Sequence, residues 1–444
     1  MSLTPDDLLS PFFEAMKPKA RWRIGAEAEK IGVHEPSQSV LDYEGENGVV
    51  GILAALSQRF GWKRITENEG GPLIALERDH ASVTLEPGAQ LELSGAPLDD
   101  VHAVYAETQA HLAELHEICS PKGIAFLGVG FHPFARQAEL PWVPKLRYSV
   151  MKEYLPTRGD RALDMMRRTA TVQANFDYES EEDAMRKLRV ALRLSPVVTA
   201  MFANSPFYEG RVTGERSERA KVWLAVDPDR QGLLPSIWNA NSGIRGYVEW
   251  ALDAPMFLFK REGKVVANTG QTFRSFWADG FQGHRPDIHD WEMHLNTLFP
   301  EVRLKRTLEV RGGDSLPERL SSALPALWTG ILYDDVALAE ADALTADFKF
   351  AEMEALRPEL ARAALRAPFR GKPLAAVAER LVEIAWGGLA RRRRLSLDGR
   401  DESIHLTALA ALVERGDCPA DELLRGLPSD PRLLANEIVR RTKL

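Results

Sequence analysis

Ile24-Gly25-Ala26-Glu27-Ala28-Glu29 places two acids two positions apart, and three further segments repeat that spacing with acidic or amide residues. They are Leu85-Glu86-Pro87-Gly88-Ala89-Gln90-Leu91-Glu92-Leu93, Thr171-Val172-Gln173-Ala174-Asn175 and Leu308-Glu309-Val310-Arg311. On a β-strand, residues i and i+2 point to one face and their neighbours to the other. Each segment therefore buries Leu, Val or Ala on one side and offers polar groups on the opposite side. If the four strands share a sheet, Glu27, Glu29, Glu86, Glu92, Gln173 and Glu309 converge. Carboxylates crowded into one cleft repel each other unless divalent cations neutralise them, and hard oxygen ligands suit Mg²⁺ or Mn²⁺. The competing reading is four ordinary half-buried strands whose polar faces see water. Recurrence of the pattern in four segments, together with Arg311, favours the cleft.

Composition bounds what surrounds it. A chain of 444 residues exceeds the usual size of a single core, so one large or two intimate domains are expected. Hydrophobic residues at 45% and charged residues at 27% are ordinary for a soluble globular protein. A formal charge of −8 argues against a general nucleic-acid binder, which needs a basic surface to neutralise phosphates. Cys119 and Cys418 are the only cysteines, which excludes a disulfide framework and a cysteine zinc cluster and suits a reducing compartment. The segment from Met1 to Met16 carries Asp6, Asp7 and Glu14 and has no apolar signal core, and no apolar run approaches the ~20 residues of a membrane helix. A cytoplasmic protein that engages no membrane is the expectation.

Organisation changes near residue 333. Before it, residues 24–33, 73–78, 82–93, 124–130, 169–178, 256–260, 264–268 and 302–311 read as extended. Residues 98–120 read as an amphipathic helix, with Leu98, Val101, Ala106, Leu112, Leu115 and Ile118 at helical spacing and a stop near Pro121 and Gly123. Residues 180–203 open with Ser180 and Asp183 at capping-box spacing, Asp standing in for the usual Glu or Gln. After 333 the pattern is almost wholly helical: 334–345, 350–366, 373–396, 403–415, 420–426 and 430–442. With no repeat, low-complexity tract or long linker, the chain reads as one catalytic domain over 1–444. Residues 1–335 form its sheet-and-helix body, and 336–444 a helical part packed on it.

Several motifs carry no chemistry on inspection. Gly128-Val129-Gly130 follows a strand, but no third glycine opens a helix, so no dinucleotide fingerprint is present. No Walker A string occurs, so an ATP site must be of another design. His102, His111 and His116 do not share one helical face and read as solvated. Arg391 to Arg394 read as a solvated helix end. There is no Gly-x-Ser-x-Gly elbow and no evident nucleophilic cysteine.

The stretch from Lys19 to Lys30, containing Trp22-Arg23-Ile24-Gly25-Ala26-Glu27-Ala28-Glu29, resembles the plant-type glutamate–cysteine ligases. So do Thr84 to Pro97, Arg168 to Asn175, Phe202-Ala203-Asn204-Ser205-Pro206-Phe207 and Phe299-Pro300-Glu301-Val302-Arg303-Leu304-Lys305-Arg306. The likeness keeps its order from about residue 20 to 335 and continues more weakly through the helical tail. It implies an α+β fold of the glutamine synthetase and guanidino kinase type: a curved, mostly antiparallel sheet whose concave face is lined by carboxylates and backed by helices. It also implies the substrates L-glutamate, L-cysteine and ATP, with Mg²⁺. The γ-carboxylate of glutamate would take the γ-phosphoryl group of ATP, and the amino group of cysteine would then displace phosphate to give γ-glutamylcysteine. A carboxylate is a poor acylating agent, and the charge spread over the transferring phosphoryl group can be stabilised by metal ions and arginine.

Residue roles follow from the resemblance and the strand geometry together. Glu27, Glu29, Glu86, Glu92 and Glu309 are the expected metal ligands, with Gln173 on the same face toward the nucleotide. Arg311 would steady the transferring phosphoryl group, its bland alternative being a salt bridge to a neighbouring glutamate. Arg147 and Arg219 match arginines that hold substrate carboxylates, a task suited to bidentate guanidinium. Thr171 and Phe257 are pocket neighbours or plain packing. A monomer or weak homodimer is the expected assembly.

The chain also departs from the family. Tyr105 and Ser322 stand where plant-type members often carry the cysteines of a redox-sensitive disulfide. Glu318-Arg319 replaces Trp followed by Arg, a change expected to alter the wall of the amine pocket. Two alternatives stay open: a γ-glutamyl ligase with a different amine acceptor, and a non-catalytic nucleotide- or metal-binding relative.

Overall fold

The structure, a computed structural model, describes residues 3–238, 241 and 243–444. Nine strands form its main sheet: β1 (Ile24–His34), β2 (Lys63–Thr66), β3 (Leu73–Arg78), β4 (Ala81–Leu85), β5 (Leu91–Ser94), β6 (Ile124–Leu127), β7 (Thr171–Phe176), β8 (Val302–Leu304) and β9 (Leu308–Asp314). Their order is β8-β9-β7-β1-β5-β4-β3-β2, and β6 pairs with the far half of β1. Every neighbouring pair is antiparallel. Glu29 lies opposite Glu92, Glu27 lies opposite Gln173 and Ser94, and Asn175 lies opposite Glu309. Directly opposed residues share a face. The two-residue spacing thus gathers the polar side chains of β1, β5, β7 and β9 on one side of one sheet.

The opposite side holds the core. Val172, Ala174 and Phe176 of β7 and Leu308 and Val310 of β9 are buried with Leu188, Ala191 and Val198 of helix Glu181–Met201. Burying each such large side chain stabilises by roughly 1.5–3 kcal/mol relative to leaving it exposed. Behind the other wing, Val83, Leu85, Leu91 and Leu93 pack with Ile52, Leu53 and Leu56 of helix Val49–Phe60 and with Leu115 and Ile118 of helix Val101–Cys119. The tail is helical as expected, with Asp335–Thr345, Phe350–Ala363, Ala375–Arg392, Thr407–Glu414, Pro419–Leu424 and Pro431–Thr442. Helices Ala323–Leu332 and Ala375–Arg392 cross at Gly330 and Gly388, where a Cβ on Gly388 would lie 1.9 Å from the Gly330 carbonyl oxygen.

Several local expectations are corrected. The 82–93 run is two strands, because Pro87 and Gly88 break it. Ala89 adopts φ +68°, the Ala89 N–H donates to the Glu86 carbonyl at 2.9 Å, and a Cβ on Gly88 would meet the Arg167 carbonyl oxygen at 2.3 Å. Glu86 therefore sits in a turn and not on a strand. The 302–311 run divides into β8 and β9, while Leu258–Arg261 and Lys264–Ala267 form a separate hairpin outside the main sheet. His111 is buried rather than solvated, because it continues the inward row of Val104, Thr108, Leu115 and Ile118 and packs edge-on against Trp62. Burial, with Lys30 and Arg78 nearby, holds its imidazole well below the usual range.

Candidate active site

The polar face of the sheet opens into a trough of about 760 Å³. Glu27, Glu29, Glu86, Glu92, Arg147, Thr171, Gln173, Arg219, Phe257 and Arg311 all line it. Glu309 does not reach it. Its carboxylate is fully buried beneath three cations, accepting from Lys305 Nζ at 2.6 Å, from Arg303 Nη2 at 2.8 Å and from Arg311. Burial alone would raise its pKa, but Arg303, Lys305 and Arg311 outweigh burial and hold it well below the ordinary carboxylate range.

The remaining acids behave in the opposite way. Burial, with Glu309 and Glu92 close by, pushes Glu27 up to about 7 against the pull of Lys305 and a 2.8 Å hydrogen bond from Asn175. Burial, then Glu86 and Glu92, drives Glu29 well above its ordinary value, although its carboxylate accepts the Thr171 N–H at 3.0 Å. Burial and Glu86 raise Glu92, which accepts from Thr84 Oγ1 at 2.7 Å and Ser94 Oγ at 2.9 Å. In all three, burial and neighbouring acids outweigh the nearby cations and favour the protonated form. That donor set, all hard oxygen, suits a divalent cation. Among the described residues no three acidic, histidine or cysteine side chains already surround one point as a finished ion site. The fit lies in the chemistry of the donors and not in a preformed cage.

Cationic groups occupy the other flank. Arg311 is held by Gln173 Oε1, to which it donates at 2.7 Å, and by Glu309, so the salt bridge weighed as its bland alternative is present alongside its place in the trough wall. A bulge accounts for its direction: the register of β9 against β7 shifts between Val310 and Gly313, leaving Arg311 and Gly312 opposite Gln173 alone. Arg219, at the start of helix Glu218–Trp223, donates from Nη2 to the Arg311 carbonyl at 2.9 Å. Arg147 lies instead on the acidic side, close to Glu86 and Glu92, and donates to the Tyr148 hydroxyl at 3.2 Å. Phe257 is buried with the Arg230 guanidinium 3.8 Å above its ring.

Sequence reasoning passed over Lys145, Tyr148, Arg303 and Lys305, which also line the trough. Arg303 and Lys305 flank Leu304 at the same two-residue spacing, so the rule applied to acids would have found them had it been applied to bases. Lys145 lies beside Arg147 in the chain. Burial and Arg147 bring its ammonium down to about 8, and it donates to the Leu85 carbonyl at 2.7 Å. Glu318 and Arg319 are exposed outside the trough, and Arg319 pairs with Glu422. The expected change to the amine-pocket wall is therefore absent from the trough. Cys119 and Cys418 are both buried free thiols.

The family model for glutamate–cysteine ligase family 2 matches residues 23–439. The chain is 44% identical over 425 residues to the chloroplastic glutamate–cysteine ligase of Medicago truncatula, covering 95% of this chain and 82% of the relative. It is 43% identical to the chloroplastic enzyme of Arabidopsis thaliana, covering 95% and 79%. Both relatives are chloroplastic enzymes, which overturns the cytoplasmic expectation. Among solved structures, glutamate–cysteine ligase from Francisella tularensis in complex with AMP superposes with a TM-score of 0.56 at 11% identity, covering 95% of this chain and 88% of that one. At that identity the likeness speaks for the fold.

Proposed function

The chain belongs to glutamate–cysteine ligase family 2 and is a ligase that joins glutamate to cysteine, and from that premise we propose that the trough carries the whole reaction with ATP and Mg²⁺. Glu27, Glu29, Glu86 and Glu92 would hold Mg²⁺, which supplies charge neutralisation for the phosphates when bound. Glu309, expected from its spacing to be a ligand, is better assigned as the anchor of Arg311, because its oxygens already serve Arg303, Lys305 and Arg311. Arg311 would face the transferring γ-phosphoryl group beside Gln173. Arg147 and Arg219 would take substrate carboxylates, with Thr171 and Phe257 shaping the pocket.

The order of events follows from the chemistry. A γ-carboxylate oxygen of glutamate attacks the γ-phosphorus of ATP, and ADP leaves. The neutral amine of cysteine attacks the acyl carbon, the C–N bond forms, the acyl C–O bond breaks, and the departing inorganic phosphate takes the proton that the nitrogen sheds. Arg311, held through Nη1 by both Gln173 and Glu309, would meet the charge that develops on the phosphoryl oxygens without reorganising. The single observation that supports this reading most is the opposition of three under-neutralised carboxyls and a clamped arginine across one cleft. The test is phosphate release by the purified protein with glutamate, ATP and Mg²⁺ against a panel of amines. Release with cysteine well above the amine-free rate is expected. Release no faster with cysteine than without it, but fast with another amine, would transfer the assignment to a different acceptor.

A further inference from the structure

Asp314 ends β9 directly after the bulge and is 1% exposed, yet it has no place in the reaction as described. Its Oδ2 accepts from Ser205 Oγ at 2.6 Å and from the Asn204 N–H at 2.8 Å, and its Oδ1 accepts from Ser217 Oγ at 2.9 Å. Both serines are committed a second time. Ser205 Oγ accepts the Arg219 N–H at 3.2 Å, and Ser217 Oγ caps helix Glu218–Trp223 by accepting the Ala220 N–H at 2.9 Å. Arg219 then lays its guanidinium on the bulge carbonyls of Arg311 and Gly312, at 2.9 and 3.4 Å, with Nη1 3.9 Å from Asp314 Oδ1. The Gly128-Val129-Gly130 string, which carries no nucleotide fingerprint, has its explanation here. A Cβ on Gly130 would stand 2.3 Å from Asp314 Cγ, so the chain must be bare where this carboxylate packs.

We infer that Asp314 is the positioning residue for Arg219, fixing through Ser205 and Ser217 the backbone from which that guanidinium enters the trough wall. A buried carboxylate with three hydrogen-bond donors and one cation around it is over-determined in geometry, which is what a group that must hold another to within a fraction of an ångström requires. The inference rests on the proposed reading of Arg219 as a holder of a substrate carboxylate, and it adds the device that aims it. Asp314 touches no substrate on this account.

The experiment is a double-mutant cycle in steady-state kinetics on the full chain, with KM measured separately for glutamate, cysteine and ATP. Arg219→Lys should raise KM for one of the two amino acids by about tenfold or more, because a point charge cannot replace the bidentate fork. Asp314→Asn should raise KM for that same amino acid by about the same order while KM for ATP stays within about twofold. The double variant should be no worse than Arg219→Lys alone, since residues acting as one unit are non-additive. Multiplying effects, or a loss spread evenly over kcat and all three KM values, would overturn the positioning role alone. Arg219→Lys with both amino-acid KM values unchanged would instead overturn the reading of Arg219, and the inference with it. Should Asp314→Asn not fold, Ser205→Ala reads out the same coupling with a smaller rise, about threefold, confined to the same KM. No rise there would sink the inference.

Discussion

Glu309→Gln is the substitution that most sharply separates an anchor from a metal ligand. In the parent, one fully buried carboxylate faces Lys305 Nζ at 2.6 Å, Arg303 Nη2 at 2.8 Å and Nε at 3.1 Å, and Arg311. Removing one partner of a buried ion pair costs about 3–5 kcal/mol because the other charge is left uncompensated. Here three cations lose their common anion, but the side chains of Arg303, Lys305 and Arg311 remain 9%, 23% and 13% exposed, where water and counter-ions reach them. The low end, about 3 kcal/mol, is the expected loss, within the ~5–15 kcal/mol by which proteins are stable. The variant should therefore fold yet unfold at distinctly lower urea, and its phosphate release should fall by about 10² or more as Arg311 loses one of its two holders. The pH dependence has a definite sign. The pKa of Glu309 is depressed on folding, so its contribution is present above the ordinary carboxyl value of 4.5 and is lost as pH falls through the lower folded value. The gap in urea midpoint between parent and variant should accordingly narrow on going from pH 7.5 to the lowest pH at which both fold. Adding Arg303→Met to Glu309→Gln should recover part of the stability, since fewer cations are then unpaired. A single variant within about 1 kcal/mol of the parent, or a double variant weaker by the full sum, would refute the anchor.

Four further outcomes follow from other parts of the molecule. Burial and neighbouring acids raise Glu27, Glu29 and Glu92, so a metal bound there should displace protons: titrating MgCl₂ into the protein in buffers of different ionisation heat should register proton release at pH 6.5 that shrinks at pH 8.5; no release at pH 6.5 would count against these three as ligands. The linked stability has the reverse sign to Glu309: Glu27 is raised from 4.5 to about 7 on folding, so metal-free stability should fall as pH climbs through that window, and Mg²⁺ should restore it. His111 is buried with neither ring nitrogen hydrogen-bonded, so His111→Leu should stabilise by about 1–2 kcal/mol and flatten the loss of stability below the ordinary imidazole value of 6.5, read as thermal midpoints across pH 5–8. Gly388→Ala must push a methyl into the Gly330 carbonyl and should cost about 2–3 kcal/mol, visible as a lower midpoint, and an unchanged midpoint would mean that the two helices part easily.

The sheet was legible because β1, β5 and β7, and β9 as far as its bulge, keep a period of two, with Val172, Ala174 and Phe176 as inward as Gln173 and Asn175 are outward. Period alone reports the face of a residue but not its partners, which is why Glu309 read as one more ligand. Arg303 arrives from β8 and Lys305 from the turn after it, and only the antiparallel register of Arg303 with Glu309 brings both over its carboxylate. Glu86 was legible as a member of the trough but not as a turn residue, although Pro87 and Gly88 signalled the break. His111 was judged by its spacing to two other histidines, when the relevant spacing was to Val104, Thr108, Leu115 and Ile118. The Asp314 network lay beyond reach, since its members come from four separate stretches of chain that meet only after the sheet has formed.

The strand order gives the trough a polarity that no single strand carries. β8 and β9 bring Arg303, Lys305 and Arg311 to one flank, while β1 and β5 bring Glu27, Glu29 and Glu92 to the other. Between them stands β7, whose outward side chains Thr171, Gln173 and Asn175 are all uncharged. An amide can accept on one side and donate on the other, and the two amides divide that work: Gln173 Oε1 accepts from Arg311, and Asn175 Nδ2 donates to Glu27. A carboxylate at 173 would bind Arg311 more strongly but would add to the repulsion among the acids, and a base at 175 would do the converse to the cations. Neutral β7 thus keeps the cationic and anionic flanks apart while linking both by hydrogen bonds. On the proposed reading, Glu27, Glu29 and Glu92 would hold Mg²⁺ on the acidic flank, and Arg311 would face the transferring phosphoryl group from the basic one. Because Gln173 and Glu309 already hold Arg311, its charge would meet the developing phosphoryl oxygens without the cost of reorientation, and that preorganisation favours the transition state over the ground state.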